Sequence, residues 1–257
     1  MLEGKPLRDK LRNGVHCLGI FTASTDACIT ELLCGSGYDF LILDAEHGAM
    51  TIESLQAGII ACKGTEAVPI VRVPNGDPAF IKQVLDAGAG GIVVPQVHSA
   101  KEAEQAVAAC HYPPAGTRGF GPRRPSNYER DYQGVVDSAN ENIVCWIQVE
   151  SVGALEEIET IVRIPNLAGV IIGPNDLAAS LGVIFQKEHP TVVAAIERIL
   201  SAAQKTGLPA GMAGLSNVEQ ATHWLNAGFQ FATLGNTYGV LMRASEAFVR
   251  EVRAGIR

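Results

Sequence analysis

A few short motifs hold the side chains best suited to chemistry. Asp44-Ala45-Glu46-His47-Gly48 sets one imidazole between carboxylates. A lone histidine is commonly a satisfied structural residue, but flanking carboxylates orient the ring and make it more basic, which suits a general base. Val71-Arg72-Val73-Pro74 places a guanidinium where an apolar run would continue. Its paired donors could grip a carboxylate or oppose charge on an enolate oxygen; an ion pair to Asp44 or Glu46 is the structural alternative. Gln148-Val149-Glu150 and Gly173-Pro174-Asn175-Asp176-Leu177 add two more carboxylates. Glu150 and Asp176, with water and substrate oxygens completing the shell, would make an open octahedral site for Mg²⁺ or Mn²⁺. No second histidine or cysteine accompanies them to favour zinc. Helix capping alone would explain Asn175 or Asp176, and a helix start there would offer backbone N–H groups to a substrate carboxylate.

All four motifs fall at the ends of short apolar runs rich in β-branched residues. Such runs recur at 15–21, 38–43, 68–73, 91–94, 143–149, 168–172, 208–212 and 231–234, with helical periodicity at 99–110, 191–205 and 216–227 between some of them. This alternation is the pattern of parallel βα units. Eight units in 257 residues suit a single (β/α)₈ TIM barrel spanning 1–257. A doubly wound Rossmann sheet comes second, because no run is followed by Gly-x-Gly-x-x-Gly. Barrel chemistry sits on loops after the carboxyl ends of the strands, where these motifs lie; within strand five, alternation points Gln148 and Glu150 to one side.

Composition narrows the partners. A net charge of −7 argues against a non-specific hold on nucleic acid. No apolar run approaches the roughly 20 residues that span a bilayer, and the first residues lack a signal-peptide core, so a cytoplasmic protein without a membrane partner is expected. Six scattered cysteines form no Cys-x-x-Cys pair and are expected to be reduced. The stretch 111–142, with its prolines, glycines and Arg118, Arg123 and Arg124, reads as an irregular segment: a solvated crossover or an anion-facing lid.

Taken together, the sequence resembles the HpcH/HpaI family, the metal-dependent class II pyruvate aldolases acting on 4-hydroxy-2-oxo acids. The resemblance runs from Leu18-Gly19 to the last helix. It is carried by Asp44-x-Glu46-His47, Val71-Arg72-Val73-Pro74, Gly88-Ala89-x-Gly91-Ile92-Val93-x-Pro95, Tyr112-Pro113-Pro114-x-Gly116-x-Arg118-Gly119, Gln148-Val149-Glu150-Ser151 and Gly173-Pro174-x-Asp176-Leu177. It implies reversible cleavage of a 4-hydroxy-2-oxo acid to pyruvate and an aldehyde through an enolate, with Mg²⁺ or Mn²⁺ as cofactor and Co²⁺ as an alternative. By the same resemblance, His47 matches the proton acceptor, acting directly or through a metal-bound water, and Arg72 the enolate-stabilising arginine. Glu150 and Asp176 match the metal ligands, while Gln148, Asn175 and Asp176 would lie against substrate. Asp86 matches an aspartate that raises the basicity of the histidine. A residue just before strand four belongs at the far end of the barrel, so Asp86 could serve a mouth only from a neighbouring subunit. An oligomer with shared sites is therefore expected, and the resemblance implies that it is a homo-hexamer. The sequence departs from the family after strand eight, where the usual Gly-x-Asp becomes Gly235-Asn236-Thr237, and at Gly48-Ala49 after His47. An acyl-CoA lyase or oxaloacetate decarboxylase of the same superfamily, or a metabolite-binding barrel without catalysis, are the competing readings.

Overall fold

The computed structural model describes residues 4–256. Helix α1 (Lys5–Arg12) leads into β1 (Cys17–Thr22), α2 (Ala27–Cys34), β2 (Phe40–Asp44), α3 (Ile52–Ala61), β3 (Val68–Arg72), α4 (Pro78–Asp86), β4 (Gly91–Val94) and α5 (Ala100–Cys110). There follow α6 (Tyr132–Asn142), β5 (Val144–Val149), α7 (Val152–Glu156), α8 (Ile158–Ile161), β6 (Gly169–Ile172) and α9 (Pro174–Ser180). The chain ends with α10 (Pro190–Thr206), β7 (Ala210–Met212), α11 (Val218–Ala227), β8 (Phe231–Asn236) and α12 (Thr237–Gly255). The eight strands close as β1-β2-β3-β4-β5-β6-β7-β8, and β8 pairs in parallel with β1. The expected (β/α)₈ barrel is the fold, and each apolar run in the sequence is a strand.

Strand alternation sorts the side chains into two cores. Phe40 and Ile42 of β2, Val68 and Ile70 of β3, Val144 and Trp146 of β5, and Phe231 of β8 pack together inside the barrel with Leu7 and Leu11 of α1. Trp146 stacks on Phe231 with centroids 4.1 Å apart and meets Phe40 edge-on at 5.2 Å. Gly19 and Gly211 leave room for the Phe40 and Phe231 rings, which any Cβ there would strike. The alternate residues, such as Leu43, Val71, Ile147 and Ile172, pack outward against helices. The inward series therefore fills the barrel with apolar bulk at the end where the strands begin. Two residues further along β2, β3 and β5 it turns polar, at Asp44, Arg72 and Gln148.

The stretch 111–142 is only partly irregular. Residues 132–142 form α6, capped by the Asp131 side chain accepting from Gly134 N–H at 2.8 Å. Its buried face is small, Val135 and Ala139, which explains why periodicity did not reveal it. The arginines ahead of it do not form a lid over the strand ends. Arg118 donates to Asp86 at 2.7 Å and Arg124 to the Ala87 carbonyl at 2.7 Å, so both pin the segment to the turn between α4 and β4. That turn lies at the barrel end where strands start. Among the described residues no helix is long and apolar enough to cross a membrane.

Candidate active site

The polar mouth continues the inward series of the strands. In β2 the order Phe40, Ile42, Asp44 ends on a carboxylate; in β3 the order Val68, Ile70, Arg72 ends on a guanidinium, and Asp44 and Arg72 are register partners. Arg72 donates through Nε to Asp44 Oδ1 at 2.9 Å and through Nη2 to Oδ2 at 2.6 Å. Its Nη1 stands 3.1 Å from Glu46 Oε2, close enough for an ion pair but not aligned as a hydrogen bond. The guanidinium also lies over the Phe21 ring at 4.7 Å. Arg72 thus makes the ion pair read as its structural alternative, and it also lines the mouth. Burial favours protonation of Asp44, but the hydrogen bonds and charge of Arg72 outweigh it and hold the carboxyl below its usual range.

His47 stands at the rim, its side chain 61% exposed, with Nε2 3.7 Å from Glu46 Oε2. The backbone N–H groups of Glu46 and His47 both point at Asp44 Oδ1, at 3.1 and 3.3 Å, so the Asp44 carboxylate shapes the turn that carries the imidazole. Burial raises the Glu46 carboxyl above its usual range; Arg72 and His47 oppose the shift, while Asp44 and Asp176 add to it.

In β5 the inward series Val144, Trp146 ends with Gln148 and Glu150. Both are buried, and the Gln148 amide donates to Glu150 Oε2. Glu150 Oε1 accepts from Gln96 N–H at 2.8 Å. Across the β5–β6 pair, Gly173 provides the space: a Cβ there would sit 2.5 Å from Glu150 Oε2 and 3.1 Å from Gln148 Nε2. Burial pushes the Glu150 carboxyl up, and the charges of Glu46 and Asp176 push the same way, which sets these three carboxylates within one another's field.

Asn175 and Asp176 follow in the first turn of α9. Neither caps it: the cap position is Gly173, without a side-chain bond, so the capping explanation for these residues does not hold. Both line a cavity of about 400 Å³ at the mouth, together with Asp44, His47, Arg72 and Gln148. The Asp176 carboxylate accepts no hydrogen bond among the described residues.

A divalent cation suits this corner. Glu150 and Asp176 are acids within mutual repulsion, Asp176 has no partner, and the buried Gln148 Oε1 also lacks one. Among the described residues no three His, Cys, Asp or Glu side chains gather into a closed metal cage. Two protein carboxylates with open positions are the arrangement in which hard cations keep water and take up substrate oxygens.

Asp86 lies elsewhere in the chain. It ends α4, pairs with the buried Arg118, and carries a carboxyl that burial raises against the pull of Arg118 and Lys82. The cavity also has a wall that strand-end reasoning missed: Ser216 after β7, and Tyr238 and Arg243 on α12 beside Asn236. Arg243 is two turns into a helix, where no strand-end signal exists.

A family model described as HpcH/HpaI aldolase/citrate lyase matches residues 18–244. The chain is 36% identical over 230 residues, 89% of each protein, to the 5-keto-4-deoxy-D-glucarate aldolase of Klebsiella pneumoniae subsp. pneumoniae. Among solved structures it is similar to an HpcH/HpaI aldolase/citrate lyase family protein from Burkholderia cenocepacia, with TM-score 0.92, 29% identity, and 96% and 98% of the two chains covered. The citrate synthase SbnG is similar at TM-score 0.88 and 29% identity, covering 96% and 97%.

Proposed function

Since the chain belongs to the HpcH/HpaI aldolase/citrate lyase family and is a carbon–carbon lyase of the class II aldolase kind, we propose that its mouth residues divide the reaction between them as follows. Glu150 and Asp176 hold the divalent cation, Mg²⁺ or Mn²⁺ by the hardness of their oxygens, with Co²⁺ as a substitute. When bound, that cation withdraws electron density from the 2-oxo group of pyruvate and makes the methyl protons acidic. Gln148 keeps Glu150 oriented through the hydrogen bond that its side-chain amide donates to Oε2. His47 accepts the methyl proton in the synthetic direction, and returns it in cleavage. Arg72, held rigid by Asp44, faces the oxygen on which negative charge develops, where a fixed donor contributes several kcal/mol, roughly 3. Asn175 and Asp176, at the cavity wall, lie against the substrate. The relatives named for 5-keto-4-deoxy-D-glucarate support a 4-hydroxy-2-oxo acid as the molecule cleaved, to pyruvate and an aldehyde.

The functional unit in this reading is a homo-oligomer, the hexamer that the family resemblance implies. Helix α12 supports it. The helix is 19 residues long and none of them is buried, although Leu241, Phe248 and Val252 line one stripe and are 63%, 69% and 48% exposed. An amphipathic helix whose apolar stripe stays exposed in its own chain calls for an apolar surface on another. A neighbouring copy could equally bring Asp86 to a mouth it cannot reach within its own chain.

The observation that carries the reading is the partnerless Asp176 in a cavity it shares with Arg72 and His47, near enough to the buried Glu150 for its charge to raise that carboxyl. Deuterium loss from the pyruvate methyl group tests it: Mn²⁺ should start exchange and a chelator should stop it, with Glu150→Gln and Asp176→Asn inactive. Exchange at the wild-type rate without metal, or in either variant, would overturn it.

A further inference from the structure

Cys110 lies beside Cys145, and Cys34 beside Cys62, yet no cysteine is disulfide-bonded among the described residues. The two pairs differ in what they can do. Cys110 ends α5 inside the core between barrel and helices, and its Sγ–H donates to the Ala106 carbonyl at 3.2 Å. Burial, with the neighbouring Cys145 adding to it, pushes that thiol far up, so it keeps its proton and stays inert. Cys34 is the last residue of α2 and Cys62 is the cap residue that ends α3; their sulfurs share a hydrogen bond at 3.3 Å. The hydrogen bond of Cys62 holds the Cys34 thiol down, to about 7, with burial opposing and Thr65 adding to the shift. Roughly half of such a thiol is thiolate at neutral pH, the form that reacts. The pair sits where the small cluster of Ile20, Leu33, Leu41 and Ala67 meets the exposed turns 35–37 and 63–66. The two residues are 7% and 3% exposed, which admits a small oxidant from those turns more readily than a bulky one.

We propose that Cys34 and Cys62 are a modification site, a thiol pair that peroxide converts reversibly to a disulfide tying α2 to α3 and raising the thermal stability of the barrel. The Cys34 thiolate attacks one oxygen of hydrogen peroxide and the O–O bond breaks. The products are a Cys34 sulfenic acid and hydroxide, which takes up the proton that Cys34 released and becomes water. The Cys62 sulfur then attacks the sulfenic sulfur: an S–S bond forms, the S–O bond breaks, and hydroxide leaves with the Cys62 proton as a second water. Two thiols have lost two electrons to the peroxide, and a dithiol reductant returns both electrons and both protons. The disulfide closes the segment 34–62, which holds β2 and α3, and so restricts the unfolded chain more than the folded one. Both sulfurs lie at the barrel end where strands start, opposite the mouth, so the crosslink leaves the strand-end residues of the mouth in place. Nothing in this depends on the aldolase reading.

The test treats the reduced wild-type protein with hydrogen peroxide, alkylates the remaining thiols, and maps the peptides by mass spectrometry without reductant. The Cys34–Cys62 crosslink should form while Cys110 and Cys145 remain thiols, at a rate that rises through about pH 7, and dithiothreitol should reverse it. The unfolding temperature should rise by about 5–10 °C on oxidation, the scale for closing a loop of this length in a chain of this size. Cys34→Ser should show neither crosslink nor rise. Cys62→Ser should stop at a Cys34 sulfenic acid that dimedone traps, an outcome that mere packing of two cysteines would not produce. Peroxide that modifies the exposed Cys28 and leaves Cys34 and Cys62 as alkylatable thiols overturns the proposal. So does a crosslink without any rise in unfolding temperature. The wild-type map and melting curve decide the matter even where a serine variant fails to fold.

Discussion

Asp44 and Arg72 face each other across adjacent strands, and the carboxylate takes the guanidinium by both of its oxygens, at 2.9 and 2.6 Å. The same carboxylate receives the backbone N–H groups that lead to His47. One side chain therefore positions both the guanidinium and the imidazole of the mouth, without itself needing to touch substrate.

Asp44→Asn is expected to damage catalysis through these neighbours. The amide can accept from only one prong of Arg72, and the guanidinium keeps Glu46 as its remaining anion. We expect kcat to fall about 100-fold, the scale associated with a misplaced catalytic group, with a loss of up to about 3 kcal/mol in stability from a broken buried pair. Steady-state kinetics and thermal unfolding of the variant check both. Wild-type kcat would refute the positioning role.

Gly173→Ala addresses the proposed cation corner without altering either proposed ligand. The added methyl would stand 2.5 Å from Glu150 Oε2, so the carboxylate must turn away. Mn²⁺ affinity should fall about 10- to 100-fold, as when the support of a ligand is removed, while the barrel remains folded. Titration calorimetry with Mn²⁺ checks it; unchanged affinity would mean that Glu150 does not hold the ion.

Much of this site was legible because a strand has a period of two. Once the run 38–43 is a barrel strand, Asp44 must follow Phe40 and Ile42 to the inside, and the same logic brings in Arg72, Gln148 and Glu150. Reading helices was harder where their buried faces are small: α6 hides only Val135 and Ala139, behind a segment full of prolines and glycines. Arg243 was illegible for a different reason. It reaches the mouth by leaning back along α12, and neither strand period nor any motif marks a residue that lines a cavity from a helix's second turn. The arginines of the long segment left two readings open, a crossover or a lid. Anion binding and internal pinning need the same residue type, and only contacts such as Arg118 with Asp86 distinguish them.

The buried His111 should make stability depend on pH. Its Nδ1 donates to the Val107 carbonyl at 2.7 Å, and Nε2 is buried without a partner. Burial lowers the pKa below the ordinary 6.5, and the charges of Arg8 and Arg118 add to the shift. The unfolded chain therefore binds this proton at higher pH than the folded one. The contribution of neutral His111 is fully present above about pH 6.5 and is lost as pH falls toward its folded pKa, with a slope of at most about 1.4 kcal/mol per unit. Unfolding temperatures between pH 7.5 and 5 should fall more steeply for wild type than for His111→Gln. Parallel curves would contradict it.

Asp86 and His47 offer a test of shared sites. In one chain Asp86 lies before β4, where the strands start, and His47 lies after β2, where they finish, so the two cannot cooperate within a single barrel. If a neighbour's Asp86 supports His47, His47→Ala and Asp86→Asn should each be nearly inactive as pure oligomers. The asparagine can still accept the hydrogen bond from Arg118, so the second variant should keep its fold. Co-refolding the two variants creates some mouths in which an intact His47 meets an intact Asp86 from the adjacent copy. Activity should then rise well above that of either parent, and should depend on the mixing ratio with a maximum near equal amounts. If the mixture shows only the average of the parents, each mouth is built from one chain, and Asp86 serves solely to anchor Arg118.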